Sequence, residues 1–283
     1  MKKQKIVFVV LISFLFSMTS CKKDNAEDNN PEQEVPEKIY QASLINPTMD
    51  ELQNFYDGKY NVINGNVEFS EVDGLLNMLA LSNVKSIKGS LVLDGNYELS
   101  TLDGLNKLEE IRGDLNIISN YKIESINGLE NLNYIGGDFS IRYTTKLKEL
   151  TGLNKLLTIG GDLVIRSNSI LVDFYGLENL QTVGGDVHFG ENDNINFNGL
   201  NNIHTVKGNL SIGFGNSSLE SLNGLNNIET IGGDLNIFSN ELLTDLCAIR
   251  DILTDHGVEG TISITNNAYN PSVNDIINGY CSQ

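Results

Sequence analysis

The sequence predicts a mostly β fold, a parallel β solenoid of about nine coils of roughly 24 residues, closed by short helical caps. Three columns of residues predict it. Glycine stands at Gly65, Gly89, Gly113, Gly137, Gly161 and Gly185, 24 residues apart each time, and Gly208, Gly233 and Gly260 continue the series at intervals of 23, 25 and 27. A second glycine column, Gly104, Gly128, Gly152, Gly176, Gly199 and Gly224, keeps step with it. Asparagine follows the leading glycine by seven residues at Asn96, Asn120, Asn168, Asn192, Asn240 and Asn267, with Asn216 displaced by one. A fixed period of this size marks units that bury their apolar faces only against their neighbours. Nine coils stacked at about 4.8 Å make a rod of roughly 43 Å.

Residues 1–20 read as an export signal. Lys2, Lys3 and Lys5 precede an apolar run from Ile6 to Phe16. As a helix that run spans only about 16 Å, short of a bilayer core of roughly 30 Å, so it reads as a signal peptide and not as a membrane span. It ends Ser17-Met18-Thr19-Ser20-Cys21, which resembles a bacterial lipobox with Met18 where leucine is usual. The resemblance implies cleavage before Cys21 and acylation of its thiol and new amino terminus. A palmitate-type lipid on Cys21 is then the contact with the membrane. Residues 21–41 are acidic and rich in asparagine without an apolar pattern, and read as a disordered tether. Bacteroidetes-type lipoproteins carry a similar stretch after the cysteine, which implies an outer-membrane, surface-exposed location.

Residues 42–64 form an N-terminal cap. Pro47 to Tyr56 reads as a short amphipathic helix, Thr48 and Glu51 can make a capping box, and Met49, Leu52 and Phe55 cover the first coil. The repeats run from 65 to 267. In the third coil the apolar positions Leu115 and Ile117 alternate, as in a short strand with one buried face. Ile123, Ile126, Leu129, Leu132 and Ile135 then recur every third residue. That period fits neither helix nor strand and suits short extended or 3₁₀ pieces joined at corners. Each Asn, placed at an inward corner, has an amide able to satisfy backbone groups of its own and neighbouring coils. The second glycine column is expected at positive φ, ahead of an inward leucine. Asp114, Asp138, Asp162, Asp186 and Asp234 form one more column, open to two readings, a calcium ladder or Asx-type caps on the glycine turn. The glycine-rich nonapeptides of calcium-binding β-rolls are absent, which favours the caps, so the expectation includes no metal and no cofactor.

The run Leu108-x-x-Ile111-x-Gly113-Asp114-Leu115-x-Ile117-x-x-Asn120 resembles a leucine-rich repeat with residues inserted at the glycine. It is most similar to the receptor L-domain variant found in growth-factor-receptor ectodomains and fungal wall proteins. The resemblance spans about Gly65 to Asn267 and implies a right-handed solenoid used for binding, with no catalytic residues. Fold alone does not choose a ligand.

At the other end, Asp245 to His256 has Leu246, Ile249, Ile252 and Leu253 at helical spacing and stops at Gly257. Residues 268–283 form the C-terminal cap, where Asn270-Pro271 opens a last helical turn ending at Gly279. Cys247 and Cys281 flank this region. In an exported protein they are expected to pair, which leaves Cys21 as the odd cysteine for the lipid.

Composition narrows the function. Against 37 acidic residues stand 19 basic ones, a net charge of −18, and such a chain repels phosphate backbones, so nucleic acid is not an expected partner. The histidines His188, His204 and His256 occupy different coil positions and cannot form a metal set. No CxxC pair, nucleophile elbow, P-loop or dinucleotide fingerprint is present. The most distinctive polar constellation lies on the outward positions of the regular sheet. Arg142 and Arg166 take the same place in adjacent coils, with His188 and Glu191 one coil further. Ile118, Tyr143, Phe214 and Phe238 are expected to be exposed along that edge, with Tyr97 and Tyr121 stacked beyond it. Aromatic and arginine side chains are common interface anchors, and tyrosine also stacks on sugars. The expected function is therefore recognition of a protein or glycan by Ile118, Arg142, Tyr143, Arg166, His188, Phe214 and Phe238. Two alternatives are a carbohydrate-active enzyme of the β-helix type and a purely structural envelope protein.

Overall fold

A computed structural model describes residues 36–283. The export signal, Cys21 and the tether up to residue 35 lie outside the described residues. No helix among those described is long and apolar enough to cross a membrane. The chain winds as a β solenoid of about nine turns with two parallel sheets as walls. The broad sheet has ten strands, four residues long from Val67–Ser70 onward, and ends at Ile262–Thr265. The narrow sheet has nine strands of two residues, from Ile39–Tyr40 to Thr230–Ile231. Coiling starts ahead of Gly65: Ile39–Tyr40 and Leu44–Ile45, in stretches read as tether and cap, already pair with Val62–Ile63 and Val67–Ser70.

The register follows the 24-residue period directly. Phe139, Ser140, Ile141 and Arg142 stand opposite Leu115, Asn116, Ile117 and Ile118 on one side and Leu163, Val164, Ile165 and Arg166 on the other. From Val67–Ser70 to Leu235–Phe238 the first and third strand residues turn inward and are buried, because side chains alternate across a pleat. The third-residue apolar pattern fills the remaining wall: Ile123, Ile126, Leu129 and Leu132 are all at 0% exposure although no regular element contains them.

Backbone polar groups at the inward corner are the problem this winding creates, and the Asn column solves it. Asn96 Nδ2 donates to the Phe69 carbonyl of the preceding coil at 2.7 Å, and its Oδ1 accepts the Val72 N–H at 3.1 Å. Asn120, Asn168, Asn192 and Asn267 repeat the same backward reach. Asn216 does so too, since the extra residue before it, Gly215, is absorbed by a second left-handed residue after Phe214. The Asp column works in the opposite direction. Asp114 Oδ1 accepts the Asp138 N–H, Asp138 that of Asp162, and Asp162 that of Asp186, at 2.7–2.9 Å. These carboxylates cap backbone N–H groups of the following coil, beside a glycine that must be bare: a Cβ on Gly137 would lie 2.0 Å from Asp114 Oδ1. The second glycine column has φ between 101° and 115°, as its spacing predicted.

One coil breaks the pattern. Between Asn192 and Phe197 a residue is missing relative to the other coils, so Asn194 falls where Leu99, Ile123, Leu147 and Leu171 fall elsewhere. Asn194 is wholly buried and its Oδ1 has no hydrogen-bond partner among the described residues, while Ile195 is pushed out to 49% exposure. Phe174, Phe189 and Phe197 fill this shortened coil as a cluster with ring centroids 5.0–5.5 Å apart.

Both ends are capped. The helix Met49–Gly58 has the Thr48–Glu51 capping box and buries Leu52 and Phe55. At the far end the segment read as one helix divides into a 3₁₀ turn, Cys247–Ile249, and a helix, Arg250–Thr254. The last helix, Val273–Ile277, starts from a Ser272–Asp275 capping box, and Cys247 and Cys281 form a disulfide.

Three stability changes follow. Asn168→Ala strands the Thr144 N–H and the Ile141 carbonyl and should cost about 1–3 kcal/mol in urea unfolding. Asn194→Leu removes an unsatisfied buried oxygen and restores the apolar column, offset in part by the lost hydrogen bond from its Nδ2 to the Asn196 carbonyl, so it should raise stability by about 1 kcal/mol. Cys281→Ser opens a loop of 34 residues, a loss of about 4 kcal/mol on the chain-entropy model, visible as a lower thermal midpoint.

Candidate binding face

The broad sheet presents two outward ranks, the second and fourth residues of each strand. In the fourth rank Asp94, Ile118, Arg142, Arg166, Gly190, Gly213 and Phe238 succeed one another across the strands. The residue before each corner asparagine takes a left-handed backbone: Gly95, Ser119, Ser167, Glu191, Gly215 and Ser239 all have φ between 54° and 78°. Tyr143 and Phe214 share this conformation at φ 56° and 58°. A bulky aromatic residue pays about 1–3 kcal/mol for that backbone, which glycine adopts freely. Both are also about half exposed, at 47% and 49%.

Direct contacts bring three of the expected residues together. The Arg166 guanidinium lies over the Phe214 ring, 4.3 Å from its centroid, and Phe214 meets Phe238 edge to face at 5.0 Å. Two strand glycines make the space. A Cβ on Gly213 would come within 2.5 Å of the Phe238 ring, and one on Gly190 within 3.2 Å of Phe214 Cβ. The rings therefore lie on bare backbone. Phe238 and Ile118 are half buried, not exposed as expected, because Phe238 folds down onto Gly213 and Ile118 stands beside Arg142 in register.

His188 does not join the cluster. It occupies the second rank, between Val164 and Ser211, with Nε2 3.7 Å from Asp186 Oδ2. Glu191 does join it, since Arg166 Nη2 donates to its Oε1 at 2.7 Å and the Ser167 hydroxyl to its Oε2. These hydrogen bonds, the Arg166 one first, hold the Glu191 carboxyl below its ordinary pKa. Arg142 is fixed differently, by a 2.8 Å hydrogen bond from its Nε to the Ser140 hydroxyl. Tyr97 and Tyr121 stack as expected, with centroids 5.7 Å apart and planes within 7°.

Gly190, Gly213 and Ser140 were not among the expected site residues. The signal for the two glycines was present in the strands Val187–Gly190 and Leu210–Gly213, which end in glycine where neighbouring strands end in large side chains. Among the described residues no group of three His, Cys, Asp or Glu side chains is placed to hold a metal ion.

The lowered Glu191 pKa gives a pH prediction with a definite sign. A depressed carboxylate keeps its ion pair at neutral pH and loses it as pH falls through the depressed value. Arg166→Ala should move the Glu191 titration upward toward the ordinary glutamate value, read by carbon NMR of the side-chain carboxyl. Comparison of the chain with protein-family models, with curated proteins and with solved structures returned no match.

Proposed function

We propose that this chain is an exported lipoprotein, anchored through Cys21, whose solenoid recognises a protein or glycan and catalyses no reaction. The observation that carries the reading is the pair Tyr143 and Phe214, exposed aromatic residues held in left-handed backbone. Stability alone would favour glycine, serine or asparagine at those two positions, as most other coils have. Arg166, Phe214 and Phe238 add a preassembled cation–aromatic cluster, the residue chemistry that anchors interfaces. The leader, the lipobox-like run and the paired Cys247 and Cys281 support export and leave Cys21 for the lipid.

Two measurements test this. Arrays of extracellular-matrix proteins and polysaccharides, probed with the chain and with the double variant Tyr143→Ala, Phe214→Ala, should show a ligand whose binding falls at least about tenfold in the variant. A variant that keeps every detected interaction places the site elsewhere. Mass spectrometry of the native protein should find an acylated Cys21 at the amino terminus, and protease shaving of intact cells should release the solenoid; an unmodified soluble form removes the anchor.

A further inference from the structure

We infer that Arg142 and Tyr143 form a subsite for a glycan that carries isolated acidic groups, carboxylates or sulfate esters, among neutral sugars. The inference rests on the binding role proposed for this face and names its ligand. Arg142 is held but not neutralised. Its Nε is bound to the hydroxyl of Ser140, itself only 3% exposed, and among the described residues its two terminal nitrogens have no hydrogen-bond or ion-pair partner. Arg166, its register neighbour across the strand pair, has Glu191 and the Phe214 ring. The two arginines start from neighbouring strands about 4.8 Å apart, but Arg166 turns toward Glu191 and Phe214 while Arg142 turns back to Ser140 and has no acidic partner among the described residues. An anion on Arg142 supplies the partner that Glu191 supplies to Arg166. The free edge of a guanidinium fits a planar carboxylate, or two oxygens of a sulfate ester, through two parallel N–H···O bonds.

Tyr143 supplies the second half of the subsite. The residues at its position in the adjacent coils are Ser119 and Ser167, so no bulky side chain at that position flanks its ring on either side. An exposed aromatic ring one residue along the chain from a held cation suits a sugar with an acidic substituent, its C–H face on the ring and its anion on the arginine. An extended peptide suits this surface poorly. The strands Leu115–Ile118, Phe139–Arg142 and Leu163–Arg166 are paired on both sides, so there is no open edge for strand addition. The net charge of −18 also disfavours uniformly charged polyanions, which is why the acidic groups of the ligand must be sparse.

The test uses matched pairs of oligosaccharides, titrated calorimetrically into the chain: xylotetraose and its single-glucuronate derivative, lactose and sialyllactose, galactotetraose and its monosulfate. At least one acidic member should bind at least about tenfold more tightly than its neutral partner, and the pair that responds distinguishes carboxylate from sulfate. Arg142→Gln should abolish that preference with an unchanged thermal midpoint, and Tyr143→Ala should weaken the acidic member as well. Equal binding within every pair, no binding by any acidic member, binding by acidic peptides alone, or a preference that survives Arg142→Gln overturns the inference. If the Tyr143→Ala, Phe214→Ala variant loses an array ligand that Arg142→Gln retains, the binding face stands and only the acidic-glycan subsite falls.

Discussion

A coil of 24 residues must turn inward at its corners, and each inward turn carries backbone N–H and C=O groups away from water. Most of the regularity in this chain answers that constraint. An unpaired buried backbone group costs about as much as a lost hydrogen bond, and a solenoid repeats the deficit in every coil. A buried asparagine offers a donor and an acceptor on one short side chain and satisfies two groups of the preceding coil at once. Aspartate on another corner accepts an N–H of the following coil. Most coils are therefore tied backward at one corner and forward at the other, the exception being the coil whose corner residue is Thr144, with a side chain that bonds the Arg142 carbonyl of its own coil. Hydrophobic burial fills what those ties enclose.

Departures from the repeat are where the molecule becomes individual. A missing residue ahead of Phe197 drops Asn194 into an apolar column with an oxygen that finds no partner among the described residues, and three phenylalanines close the space around it. An added residue at Gly215 leaves Asn216 in the corner network and the Phe214 ring at the surface. The same insertion, with Gly190 and Gly213 bare beneath the rings, gathers an aromatic pair against Arg166. A binding face can thus arise on a solenoid without any change to its interior.

Charge sharpens that face. In a chain of net charge −18, two arginines on facing strand positions stand out, and they are not equivalent. Arg166 is neutralised by Glu191 and covered by Phe214, so it acts chiefly to hold the aromatic pair in place. Arg142 is oriented by Ser140 and keeps its outer edge free among the described residues, which makes it the more polarising of the two.

The solenoid, its period, the alternating strand, the corner role of asparagine, the positive φ of the second glycine column, the Thr48–Glu51 cap and the Cys247–Cys281 pair were all legible in the sequence. A repeat lays equivalent residues on top of one another, so spacing along the chain converts directly into position in space. Irregularities do not convert that way. The sequence placed Arg142, Tyr143, Arg166, His188, Phe214 and Phe238 on one edge but could not separate the two outward ranks. His188, two residues earlier on its strand, stands apart with Asp186 for that reason. Nor could it show that Phe238 lies down on Gly213, or that the residue before each corner asparagine is left-handed, because ring direction and backbone sign are set by packing between coils and not by spacing within one. Composition and period determined the architecture. Contacts across two and three coils decided which side chains meet.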